Sequence, residues 1–156
     1  MRRTLTSGLR TVSVTVPGGR AMMEGGCQCG AVRYAVDAEP YGVFVCHCTQ
    51  CRRQSASAFG ISVDIPASAL HVLQGTTQSW CRPTPTGRLI CHFCPTCGGR
   101  LWHVADPPDG RMTLKGGTLD VPLDLTAAVH IWTTHKLPGV IIPEGAVCYP
   151  GEPEDR

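Results

Sequence analysis

Cysteine spacing constrains this chain more than any other feature. Cys46-His47-Cys48-Thr49-Gln50-Cys51 sets three cysteines as C-x-C-x-x-C. Three thiolates so close in sequence converge on one tetrahedral ion and leave its fourth position open, as in a reactive zinc site. Two further pairs, Cys27-Gln28-Cys29 and Cys94-Pro95-Thr96-Cys97, lie far apart in the chain. Together they supply four sulfurs for a second, closed tetrahedral site. Residues 93–99 have the form of a zinc knuckle, a tight turn that aims backbone N–H groups at sulfur, with glycine after the second cysteine free to take positive φ. Cys91 and Cys94 also make a C-x-x-C pair, but Pro95 and Gly98 sit where the Cys94 to Cys97 turn needs them, so Cys91 reads as a buried strand thiol. Cys81 and Cys148 stay outside this scheme.

The same clustering decides between metal and disulfide for the ten cysteines. Near neighbours are poorly placed to bridge each other and well placed to share an ion, and no secretory signal precedes them. A reducing cytoplasm is the expected compartment. The net charge of +2, with only Lys115 and Lys136 as lysines and the arginines scattered, offers no track for nucleic acid. No apolar run approaches the roughly 18 residues that span a bilayer.

The chain divides into an Arg-bearing, acid-free extension over residues 1–23, a zinc-binding domain over 24–149, and a polar, frayed tail over 150–156. Within the extension, residues 11–16 alternate as a strand does. From Gly25 onward, short β-rich runs alternate with Gly and Pro. Strands are predicted at 31–36, 43–46, 59–65, 70–73, 78–82, 89–93, 100–104, 112–114 and 129–132, with a turn or two of helix after Cys48 and another over 66–70. This is a mostly β chain.

Three sulfurs leave zinc a weak Lewis acid, better suited to exchanging a thiol than to hydrolysing an amide. The chemistry that follows is transfer of a thiol onto a small electrophile. The alternative is a second structural site, completed by a histidine as Cys₃His. His47, between two ligands, should turn its ring away from the ion. Arg52 and Arg53 either hold a carboxylate of the substrate or lie solvated at the surface. His92, His103, His130 and His135 read as structural, and Trp80, Trp102 and Trp132 as core, with one of the three available to wall a pocket.

These pieces together resemble the glutathione-dependent formaldehyde-activating enzyme family, the domain family of centromere protein V. The matching runs are Gly26-Cys27-Gln28-Cys29-Gly30-Ala31-Val32-Arg33-Tyr34, Cys46 to Arg53, Phe93-Cys94-Pro95-Thr96-Cys97-Gly98, Gly117-Thr118-Leu119-Asp120 and His130-Ile131-Trp132. The resemblance implies a β-tent fold of short antiparallel strands around two zinc ions. One zinc would be structural, on Cys27, Cys29, Cys94 and Cys97; the other catalytic, on Cys46, Cys48 and Cys51. It also implies glutathione as co-substrate, formaldehyde or a related aldehyde as its partner, and a carbon–sulfur lyase forming S-hydroxymethylglutathione. The chain departs from the family pattern at Lys136-Leu137-Pro138-Gly139, where a tryptophan is usual at the last position, and at Glu144-Gly145-Ala146-Val147. Two other functions fit the motifs: a thiol-binding module without catalysis, and a zinc-stabilised interaction domain.

Overall fold

The computed structural model describes residues 15–16, 19–20 and 22–154. In chain order the strands are β1 (Thr15–Val16), β2 (Gly19–Arg20), β3 (Met23–Gly26), β4 (Arg33–Val36) and β5 (Gly42–Cys46), then helix α1 (Thr49–Ser55). There follow β6 (Gly60–Pro66), β7 (Leu70–Gln74), β8 (Gln78–Thr84), β9 (Gly87–Phe93), β10 (Arg100–Asp106), β11 (Arg111–Lys115) and β12 (Val129–Ile131). The molecule is mostly β, as the sequence predicts. Of the alternation over 11–16, residues 11–14 lie outside the described residues, and Thr15–Val16 pairs with Gly19–Arg20.

Two sheets make the domain, one of seven strands in the order β12-β5-β6-β11-β10-β9-β8, the other of three in the order β3-β4-β7. Pairing is antiparallel except between β12 and β5, which run parallel. Because side chains alternate across a strand and directly paired residues share a face, the register sorts the large sheet into two surfaces. One carries Val43, Val63, Ile65, Leu114, Met112 and Trp102, which pack with Val32, Tyr34 and Val36 from the small sheet into the core. The other carries Cys46, Ser62, Asp64, Thr113, His103, Cys91 and Trp80 in adjoining positions. Cys46, Ser62, Asp64 and Cys91 are buried on this second face but lie outside the hydrophobic cluster, and Cys46 brings the second cysteine cluster to it.

Three elements differ from the sequence expectation. Strand β3 was not expected, because Gly25 and Gly26 depress β propensity. Gly25 is needed there: a Cβ would lie 2.4 Å from the Thr118 carbonyl oxygen and 2.5 Å from the Tyr34 hydroxyl. The last strand stops at Ile131, since Trp132 takes a left-handed φ of 56° and opens a 3₁₀ turn. The expected frayed tail is tied down through Glu152. The Trp132 backbone N–H donates to the Gly151 carbonyl at 3.1 Å, and its indole N–H to a Glu152 carboxylate oxygen at 2.7 Å.

Candidate metal centres and their pockets

The closed cluster forms where two turns meet. Cys27 and Cys29 come from the turn between β3 and β4, Cys94 and Cys97 from the turn between β9 and β10, and all four Sγ atoms lie within 4.8 Å of one another. The Cys27 to Cys29 and Cys29 to Cys94 sulfur separations are 3.6 and 3.8 Å. A tetrahedron of sulfurs each about 2.3 Å from zinc has edges of roughly 3.8 Å, so the donor set fits the ion. Gly98, at φ 73°, closes the knuckle, with its N–H on the Cys94 carbonyl at 2.9 Å. The Val32 N–H donates to Cys27 Sγ at 3.2 Å. Backbone N–H groups of Gly99 and Cys29 hold the Cys97 thiol down to about 6. Cys29 is pushed up to about 11: the Ala31 N–H favours its thiolate, but the crowding of Cys27, Cys97 and Cys94 outweighs it.

The second cluster sits on the polar face. Cys46 ends β5, Cys48 caps the N-terminus of α1, and Cys51 stands in its first turn; their sulfurs also lie within 4.8 Å of one another. The Cys51 N–H donates to Cys48 Sγ at 3.3 Å. Hydrogen bonds from Cys46 and Cys51, then from backbone N–H groups, bring the Cys48 pKa down to about 2, while Cys48 and Cys51 push Cys46 up. Three soft donors and no carboxylate suit zinc and disfavour hard cations. The two clusters can therefore each hold zinc.

Gly60 fixes the approach of α1 to β6. A Cβ there would stand 3.0 Å from Cys51 Cβ. Gly60→Ala should shift Cys51 and weaken metal retention at this cluster roughly tenfold, as changes around ligands commonly do. Competition with a chromogenic chelator, in which the other cluster serves as internal reference, checks this.

His47 turns into the protein rather than solvent. It is fully buried, with Nε2 3.0 Å from His130 Nδ1 and the rings stacked at 5.3 Å. Burial pushes both imidazoles below their usual pKa, so one neutral ring donates to the other. The sequence treated these histidines separately; the parallel pairing of β12 with β5 brings them together.

Two spaces open on this side. A cleft of about 800 Å³ runs from Cys27 and Cys97 past Phe59 and Gly60 to Lys115 and Asp120, a size ordinary for small-molecule sites. A smaller pocket of about 270 Å³ reaches Cys51 itself and is lined also by Arg53, Trp80, Arg82, Arg100 and His103. Gln54 and Arg100 border both spaces, and Gln54 Nε2 lies 3.5 Å from Cys51 Sγ. Of the two arginines singled out from sequence, Arg53 shares the pocket with Cys51. Arg52 folds back on α1, donating to Thr49 Oγ1 at 3.3 Å, and lines a separate depression. Trp102 is core, whereas Trp80 is 46% exposed and walls the small pocket. Gln54 and Arg100 lie outside every motif, and only the fold reveals them.

Residues 22–135 match the family model for the glutathione-dependent formaldehyde-activating enzyme. The chain belongs to that family. Among curated relatives, a Halomonas elongata protein provisionally named a glutathione-dependent formaldehyde-activating enzyme is 33% identical over 94 residues. That match spans 55% of this chain and 57% of the relative. Among solved structures, a Rhodobacter sphaeroides protein superposes with a TM-score of 0.55 at 26% identity, covering 69% of this chain and 99% of that one. Both cysteine clusters, His130 and Trp132 fall inside the matched residues. No helix among the described residues is long and apolar enough to cross a membrane.

Proposed function

We propose that the chain is a zinc-dependent carbon–sulfur lyase that joins the thiol of glutathione to formaldehyde or a related small aldehyde. The observation that carries this reading is the convergence of Cys46, Cys48 and Cys51, with Cys51 lining a pocket of about 270 Å³ that shares Gln54 and Arg100 with the larger cleft. Cys46, Cys48 and Cys51 would hold the zinc, which would supply soft Lewis acidity that favours the thiolate form of an incoming thiol. The sulfur then adds to the carbonyl carbon; the C=O pair moves to oxygen, which takes up the proton the thiol gave. Atoms and electrons balance without an oxidant, and the product is S-hydroxymethylglutathione.

The chain's own residues orient the reactants. Gln54, in contact with Cys51 Sγ, has an amide in place to donate to the carbonyl oxygen as charge develops there. Arg53 holds a glutathione carboxylate, and Arg52, in its adjoining depression, is available to the other end of the tripeptide. Formaldehyde is reactive enough that concentration and orientation of the thiolate provide most of the rate. Ten free cysteines suit a reducing compartment such as the cytoplasm.

The test is exchange spectroscopy on ¹³C-formaldehyde and glutathione at equilibrium, with and without the zinc-loaded protein. Faster exchange that scales with protein supports the lyase. Saturable glutathione binding with the spontaneous exchange rate overturns it in favour of a thiol-binding module.

A further inference from the structure

Arg100 opens β10 directly after the knuckle, at a point where the pairing with β9 shifts between Arg100 and Trp102. The irregularity breaks alternation, so that Leu101 and Trp102 both enter the core and Arg100 is directed separately. Its Nε and Nη2 are enclosed and make no hydrogen bond with any described residue. The guanidinium sits 5.9 Å over the Trp80 ring, at the wall shared by the large cleft and the Cys51 pocket.

A guanidinium stays charged at any working pH and carries five donors. Enclosed donors without acceptors are costly, and native folds keep few of them. The surroundings sharpen the point. Arg53, Arg82 and His103 line the same pocket, and no carboxylate side chain lines it. In the large cleft the acidic group is Asp120, already bidentate with Arg33. Among the described residues Arg100 thus has no carboxylate partner, although it lines both spaces.

We propose that Arg100, assisted by Arg53 and Arg82, forms a carboxylate-reading subsite beside Cys51, and that Arg100 determines specificity for anionic thiols over neutral ones. This rests on the reading of the Cys51 pocket as the thiol site. Arginine is well suited to recognising a carboxylate, and the Arg100 guanidinium stands over the Trp80 ring at the pocket wall. A guanidinium that served only to offset the charge of the thiolate cluster would affect metal retention, and would not distinguish one thiol from another.

The experiment uses the full-length, zinc-loaded chain and its Arg100→Gln and Arg100→Lys variants, with zinc content measured on each. Calorimetry follows two probes: S-methylglutathione, which has carboxylates and no free thiol, and 2-mercaptoethanol, which has a thiol and no charge. Expected is at least a tenfold weaker affinity of Arg100→Gln for S-methylglutathione, partial recovery in Arg100→Lys, and affinity for 2-mercaptoethanol within twofold of wild type. Three results would overturn the proposal: no binding of S-methylglutathione to wild type, equal changes for both probes, or a loss that follows zinc content. Because neither probe reports on catalysis, a selective Arg100 effect beside a spontaneous formaldehyde exchange rate would refute the lyase and leave the subsite standing.

Discussion

Replacing Cys94 with serine is expected to leave the chain without a cooperative fold. Cys94 is fully buried in the core beside Leu101, Trp102 and Tyr34, and its sulfur belongs to the cluster that joins the two sheets. Cys27 and Cys29 rise from the small sheet; Cys94 and Cys97 rise from the large one. Closing the long loop between them removes much of the entropy of the unfolded chain. Structural zinc in small domains contributes about 10–16 kcal/mol, which matches or exceeds the whole stability of a typical domain, about 5–15 kcal/mol. Serine is close to cysteine in volume, so the cavity cost is small and the loss is that of a ligand. Far-UV circular dichroism on heating, with zinc counted per chain, measures it. A Cys94→Ser protein that melted cooperatively within a few degrees of wild type would show that the cluster is not what holds the sheets together.

Much of this architecture was legible before any coordinates, for a physical reason. Metal ligation is short-range in sequence within each pair, so the seven clustered cysteines announce themselves by spacing alone, and glycine and proline mark the turns that carry them. What stayed hidden depends on pairing between distant segments. His47 and His130 are 83 positions apart and meet through parallel pairing of β12 with β5, which no local pattern encodes. Strand β3 hid behind two glycines whose reason, the closeness of Tyr34 and Thr118, is tertiary. Arg100 reads in the sequence as one more arginine after a knuckle. Its burial comes from the shift in register that follows it. Arg52 and Arg53 are adjacent in sequence, and the helix sends only Arg53 to the pocket that Cys51 lines.

Cys48→Ser should have the opposite profile to Cys94→Ser: an intact fold, one zinc per chain instead of two, and adduct formation reduced to the spontaneous rate. Cys48 is half-buried and lies outside the core cluster. Its structural duty is to cap α1, where its sulfur accepts the Cys51 N–H. Serine is among the best residues at that position, so the helix keeps its cap. What serine cannot supply is the thiolate. Cys48 is the sulfur of the three most strongly favoured as an anion, through hydrogen bonds from Cys46 and Cys51 and then the backbone, and a neutral hydroxyl is a poor ligand for zinc beside two thiols. With two sulfurs left, the ion is lost from this cluster while the other four-sulfur site, built from separate turns, keeps its own. Metal analysis, a thermal melt and the ¹³C exchange rate on the same preparation make three independent readings. Loss of one zinc with exchange still accelerated would place the reaction away from Cys46, Cys48 and Cys51. Loss of both zincs would mean that the two clusters fold as one unit, because α1 and the knuckle then share a stability that their separate turns do not suggest.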